Sequence, residues 1–184
     1  NQHYFVTEQG KPFFWLGDTG WLTFGKLDRE GINKYFQDRK TKGFNVIQVM
    51  VLHNINAVNV YGAKALVNED VSKPITTPGN NFNNKEEYDY WDHIDYALDV
   101  AQKNGIYVGM VPVWGTNVSK GDKVSKEQAQ KYAQFLANRY KDRTNVIWMN
   151  GGDTHGNEFK DIWNAIGSTL KINNPDQLVT FHPF

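Results

Sequence analysis

Pro12-Phe13-Phe14-Trp15-Leu16-Gly17-Asp18-Thr19-Gly20-Trp21 is the stretch on which the fold turns. It begins as an apolar run and ends in a polar, glycine-containing turn, the pattern of an inner strand leading into a loop. Two architectures can grow from such a start, a doubly wound open sheet and a (β/α)8 barrel. An open sheet normally carries a phosphate-binding G-x-G-x-x-G turn after its first strand, and Gly17-Asp18-Thr19-Gly20-Trp21 does not have that spacing. A barrel instead asks for polar and aromatic groups at the C-terminal end of strand after strand.

Reading outward, Tyr4-Phe5-Val6-Thr7 faces this run across the turn Glu8-Gln9-Gly10-Lys11, which predicts a hairpin whose second arm is the first inner strand, ending at Gly17-Asp18-Thr19. From Asp28 as N-cap, Ile32, Tyr35 and Phe36 recur at helical spacing until Gly43. Residues 46–52 are a nearly all-apolar second strand, as in sheets covered on both faces. Residues 53–87 have no clear period and are rich in Asn, and a stretch of that length inside a compact domain reads as a functional loop. Trp91, Ile94, Leu98 and Ala101 mark a helix closed by Asn104-Gly105, and residues 106–112 form a third strand. Ser125 and Gln128 make a capping box for a helix with the stripe Ala129, Tyr132, Ala133, Leu136 and Tyr140. Residues 145–150 are the fourth strand, followed by Gly151-Gly152-Asp153 and a helix built on Phe159, Ile162, Trp163, Ile166 and Leu170. Residues 178–182 are the fifth.

Asp18 and Trp21, His53 and Asn54, Trp114, Asn150 and Asp153, and His182 thus fall after successive strands. That recurrence selects the α/β class and the (β/α)8 TIM barrel. A closed barrel takes about 250 residues, so residues 1–184 read as the N-terminal part of a single catalytic barrel domain, with the hairpin and about the first five βα units. Such an open sheet would leave unpaired edge strands. The sequence opens at Asn1-Gln2-His3 with neither an initiating Met nor a secretory leader, as an excerpt or a processed chain would.

Composition narrows the function. The 184 residues hold 20 basic and 20 acidic side chains and no cysteine. No thiol nucleophile, disulfide framework or zinc ribbon is possible. Zero net charge without a basic block argues against nucleic acid, and no apolar run reaches the ~18 residues of a membrane span. A catalytic metal is not expected: Asp153-Thr154-His155 offers a pair, but the first strand lacks the H-x-H that barrel metallohydrolases use. No cofactor is expected either.

Trp148-Met149-Asn150-Gly151-Gly152-Asp153 is the strongest local signal. Two glycines let the backbone turn sharply and aim the flanking polar side chains into a barrel mouth. Asp153 there is a candidate general acid with a pKa raised by partial burial, and Asn150 a candidate ligand for a substrate hydroxyl. The alternative is that Asp153 caps the following helix. Asp18 could bind hydroxyls or could fix an Asx turn. Trp21 and Trp114 could offer flat apolar faces to a substrate or could be core, whereas Trp15, Trp91, Trp148 and Trp163 lie inside element patterns and read as packing. His53 and His182 at strand ends could bind hydroxyls or orient a carboxylate.

The run from Gly10 to Trp21, with Gly43-Phe44-Asn45-Val46-Ile47-Gln48 and Asn150-Gly151-Gly152-Asp153, resembles the apiosidase-like glycoside hydrolases of glycoside hydrolase family 140. The resemblance covers essentially the whole chain. It implies a (β/α)8 barrel acting on plant cell-wall polysaccharide, with release of apiose from pectic side chains, and a carbohydrate as partner. By the same resemblance Asp153 matches the catalytic acid/base, the Gly17-Asp18-Thr19 segment lines the pocket, and the partner Glu belongs near the end of a later strand outside this sequence. Glycoside hydrolysis needs two carboxylates, so these residues alone are expected to be catalytically incompetent. A polysaccharide substrate and the lack of cysteine fit a secreted or periplasmic location. A non-catalytic carbohydrate-binding or scaffold module, or a different barrel hydrolase, is the rival reading.

Overall fold

The computed structural model describes residues 3–7, 9–119 and 124–184; Asn1, Gln2 and Glu8 of the predicted turn lie outside the described residues. Strands β1 (Phe5–Val6) and β2 (Pro12–Phe13) pair antiparallel as a hairpin. Strand β3 (Gly17–Thr19) is separate and opens a five-stranded parallel sheet with β4 (Val46–Leu52), β5 (Tyr107–Val113), β6 (Val146–Thr154) and β7 (Val179–Pro183). The second hairpin arm is therefore not the first inner strand. The side chain of Asn45 explains the break: its Nδ2 donates to the Phe14 carbonyl at 2.7 Å and its Oδ1 accepts from the Leu16 amide at 2.9 Å, taking residues 14–16 out of any ladder.

The helices are α1 (Thr23–Lys26), α2 (Arg29–Thr41), α3 (Tyr90–Lys103), α4 (Thr116–Ser119), α5 (Lys126–Tyr140) and α6 (Lys160–Asn173). Asp28 caps α2 by accepting from the Gly31 amide, and Ser125 with Gln128 forms the expected box on α5. Asp89 and Asp92 make a second box on α3. Residues 53–87 hold only one 3₁₀ turn and isolated bridges, yet Ile55, Ala65, Leu66 and Val71 are buried in them, so the loop packs as part of the core.

Strand order in space equals strand order in sequence, β3-β4-β5-β6-β7. Each crossover steps the same way, and right-handed crossovers then put every connecting helix on one face. A doubly wound sheet would reverse direction at a switch point, which this one never does. The result is a curled half-barrel, five βα units of a (β/α)8 barrel. Its two faces bury separate cores. Ile47, Val49, Val51, Val108, Met110, Val146 and Trp148 face the helices, within the large cluster that also holds Trp91, Tyr132 and Trp163. The residues between them, Val46, Met50, Val111, Ile147 and Met149, form a smaller cluster with Trp114, against which Phe13, Trp15 and Trp21 pack. That second cluster is the barrel interior, and it ends at the strand C-termini in the candidate site.

Candidate active site

Alternation decides which strand-end side chains meet. In β6, Ile147 and Met149 point inward and Trp148 and Asn150 outward. Beyond Asn150 the ladder with β7 shifts register between Gly151 and Thr154, leaving Gly152 and Asp153 unpaired in a bulge. Gly151 and Gly152 have φ of 98° and 111°, and Asp153 itself has φ 48°, a conformation uncommon for a residue with a Cβ. Gly152 also accepts from the Gly115 amide at 3.1 Å, and a Cβ on Gly115 would stand 2.2 Å from that same oxygen. The contact fixes Trp114, one residue earlier, against the bulge. Helix α6 starts at Lys160 with Phe159 at its N-cap position, so Asp153 does not cap it.

Four predicted residues gather around Asp153 or beside it. His182 is opposite Gly151 in the β6–β7 register and faces inward. Its Nδ1 lies 3.8 Å from Asp153 Oδ1, and that nitrogen is buried with no hydrogen-bond partner among the described residues. The imidazole packs on Trp21 (centroids 5.4 Å) and Trp114 (5.6 Å), and the two indoles are 5.3 Å apart. The backbone of Trp21 is tied to β4, its carbonyl accepting from the Met50 amide at 3.0 Å. His53, after β4, places Nδ1 3.2 Å from Met50 Sδ beneath the Trp21 side of the mouth. The arrangement is an aromatic box open on one side, with a carboxylate at its edge. The partial burial expected for Asp153 is not there: its side chain is 58% exposed and accepts no hydrogen bond among the described residues.

Two predicted residues lie elsewhere. Asp18 is aligned with the outward-facing Ile47, and its carboxylate accepts from Arg39 at 2.7 Å, from the Tyr35 hydroxyl at 3.2 Å and from the Thr19 amide at 2.8 Å. It ties β3 to α2 and does not enter the mouth. Burial first, and then the Asp18 charge, push the Tyr35 phenol up, so Tyr35 remains a donor in this contact. Asn150 is 5% exposed and donates through Nδ2 to the Trp163 carbonyl at 2.7 Å, pinning α6 to the sheet. It shares its face with Trp148 and cannot reach a substrate in the mouth without turning over. Met50 and Gly115 are the contributors that sequence reading missed. A Trp-Gly pair facing a Gly-Gly pair was the available signal for Gly115.

Among the described residues no group of three or more His, Asp or Glu side chains could hold a metal ion, and no helix is long and apolar enough to cross a membrane. Glu158 and Asp161 are exposed, and His155 stacks on Phe184. A cavity of about 540 Å³ is at the opposite end of the sheet, among Phe5, Trp15, Tyr107, Ile147, Lys141 and Asp142. It is lined by apolar and charged side chains alike and is far from the strand C-termini, so size does not mark the site here.

Residues 1–184 match the apiosidase-like catalytic domain over their full length. The chain belongs to the apiosidase-like family. Two solved structures are similar throughout. A glycoside hydrolase is 42% identical with a TM-score of 0.86, over 98% of this chain and 39% of that one. A glycoside hydrolase family 5 protein from Bacteroides vulgatus ATCC 8482 is 40% identical with the same TM-score, over 98% of this chain and 37% of that one. This apiosidase-like chain thus spans well under half the length of either. An endo-beta-1,4-mannanase from Thermotoga petrophila, at 15% identity and TM-score 0.66, shares the fold. No curated protein matches the chain.

Proposed function

We propose that residues 1–184 are the N-terminal five units of a barrel glycoside hydrolase acting on plant cell-wall, pectic polysaccharide, with an apiosidase-type reaction. Asp153 is the general acid/base: it protonates the leaving oxygen and, in a retaining reaction, afterwards activates water. The second carboxylate comes from a later strand, outside these residues, because of the two carboxylates at strand ends Asp18 is turned to α2 and only Asp153 faces the mouth. Trp21 and Trp114 offer flat faces to the sugar, His53 a polar group at the rim, and His182 positions the Asp153 carboxyl. A polysaccharide substrate goes with export from the cytoplasm.

The observation that carries this reading is the buried Nδ1 of His182, without a hydrogen-bond partner among the described residues and 3.8 Å from Asp153, beside a pair of tryptophans. The family membership and the glycoside hydrolase titles of the two similar structures support it. The test is turnover of an apiose-containing pectic oligosaccharide by the full-length protein and its Asp153→Asn variant. Turnover is expected to fall by about 10²–10⁴-fold on poor leaving groups. A loss of less than about tenfold removes Asp153 from the mechanism.

A further inference from the structure

The β4–β5 ladder ends where the Trp114 amide donates to the Leu52 carbonyl at 2.9 Å, and past that point the two chains lead into the separate turns that carry His53 and Trp114. One side chain bridges those turns. Asn117, on the single turn α4, is buried; its Nδ2 donates to the His53 carbonyl at 2.8 Å and to the Trp114 carbonyl at 3.0 Å, and its Oδ1 accepts from the Ile55 amide at 3.2 Å. A carboxamide nitrogen has two hydrogens and a backbone carbonyl can only accept, so both hydrogens are committed and the partners fix which way the amide points. Among the described residues no other side chain bonds to the backbone of both turns.

We propose that Asn117 is a positioning residue of the glycosidase site, one that does not touch the sugar but holds the Trp114 indole and the His53 turn at the spacing the substrate requires. The proposal rests on the reading of the Asp153 mouth as a sugar site. Loss of the carboxamide would leave α4 docked, because the next residue, Val118, is buried in the large core. The Trp114 carbonyl would still accept from the Asn117 backbone amide at 2.9 Å, and the Gly115 amide would still donate to the Gly152 carbonyl. The His53 carbonyl and the Ile55 amide would lose the partner that Asn117 supplies, and backbone groups left unpaired in a buried turn shift to reach water. The two walls of the mouth would then move apart while the sheet beneath them stayed intact.

Circular dichroism of the full-length protein reads that movement without substrate. Trp21 and Trp114, with ring centroids 5.3 Å apart and planes inclined at 58°, are close enough for their indole transitions to couple, and no other two tryptophans among the described residues are in ring contact. Trp114→Leu is expected to remove this exciton couplet and Asn117→Ala to lose most of it; a couplet unchanged in Asn117→Ala overturns the proposal. On an apiose-containing pectic oligosaccharide, Asn117→Ala should raise KM about tenfold with kcat within about threefold, and should add less than about threefold in a Trp114→Leu background. Losses that multiply, or a fall in kcat with KM unaltered, overturn it. So does a lowered melting temperature with both couplet and KM unmoved, the mark of a merely structural residue. Asn117→Asp keeps the size and the oxygen for Ile55 but has no hydrogens for the two carbonyls, so it should behave as Asn117→Ala does and carries the test if the alanine variant does not fold. An aspartate variant equal to the native protein overturns the proposal. Failure of the native protein to turn over this oligosaccharide would instead refute the apiosidase reading, and the couplet would still decide the part played by Asn117.

Discussion

Asp18 and Asp153 each stand at the C-terminal end of a parallel strand, and they end in opposite circumstances. Asp18 is turned into the layer between sheet and helices, where Arg39, Tyr35 and the Thr19 amide engage it. Asp153 is turned into the mouth, where the imidazole nitrogen of His182 stands 3.8 Å away and its backbone is left-handed. One carboxylate is spent on joining β3 to α2 and the other is kept free. The difference comes from which way the strand alternation points, and from the bulge that breaks that alternation in β6.

The comparison is broken most directly at His182, where the largest effect after loss of Asp153 itself is expected. If His182 positions Asp153, His182→Ala in the full-length protein lowers kcat about tenfold with KM within twofold, and His182→Asn, which keeps a polar group near the position of Nδ1, recovers part of the loss. A His182 that merely packs between Trp21 and Trp114 would give a loss of stability, with no rescue by Asn. Steady-state kinetics alongside thermal melts separate the two.

Much of this contrast could be read from sequence, and the unread part has physical reasons. Helix caps were legible because they are local: Asp28 to Gly31 and Ser125 to Gln128 are three residues apart. Strand existence and order followed from apolar runs and their spacing. The end of the hairpin was not legible, because it depends on Asn45, some thirty residues away. The direction of Asp18 was not legible either, since a three-residue strand has no alternation to read. Asn150 is the instructive case. Trp148 reads as packing, and a residue two further along the same strand shares its face, so the outward direction of Asn150 is already implied by the sequence. For Asp153 the same parity rule fails, because Gly151 and Gly152 let the bulge form. Trp114 and His182 come together only through tertiary structure.

A second expectation sharpens the comparison on the helix side. Asp70, in the loop before α3, is raised by its burial but lowered more by the Ser72 hydroxyl and amide, Lys73 and Gln128 of α5, and ends at about 2. A folded-state value below the unfolded one means stability fully present above about pH 4 and lost as pH falls toward 2. The size is about 2 kcal/mol. Urea midpoints at pH 7 and pH 3 should therefore converge in Asp70→Asn relative to the unsubstituted protein, and an unchanged acid slope would show that the carboxylate does not hold the loop to α5.

Asp18→Asn comes next. The variant keeps the shape but loses the charge that Arg39 pairs with, in a contact about one quarter exposed, and should cost about 1–2 kcal/mol. Turnover should remain within twofold. A selective loss of activity without loss of stability would place Asp18 in the sugar site after all and make the two carboxylates alike.

The smallest effect is also the one that separates the two most cleanly. At φ 48° the backbone of Asp153 is under steric strain that glycine does not feel. Asp153→Gly relieves that strain, while the freer unfolded chain offsets part of the relief. The net change should be a gain of a few tenths to about 1 kcal/mol in unfolding free energy, measured by urea titration, in a protein that no longer turns over. A loss of more than about 1 kcal/mol would mean that the carboxylate holds the bulge together as Asp18 holds β3 to α2. A gain would mean that the chain tolerates a strained residue there for what its side chain does at the mouth, because nothing in the local structure favours an aspartate over the glycines before it.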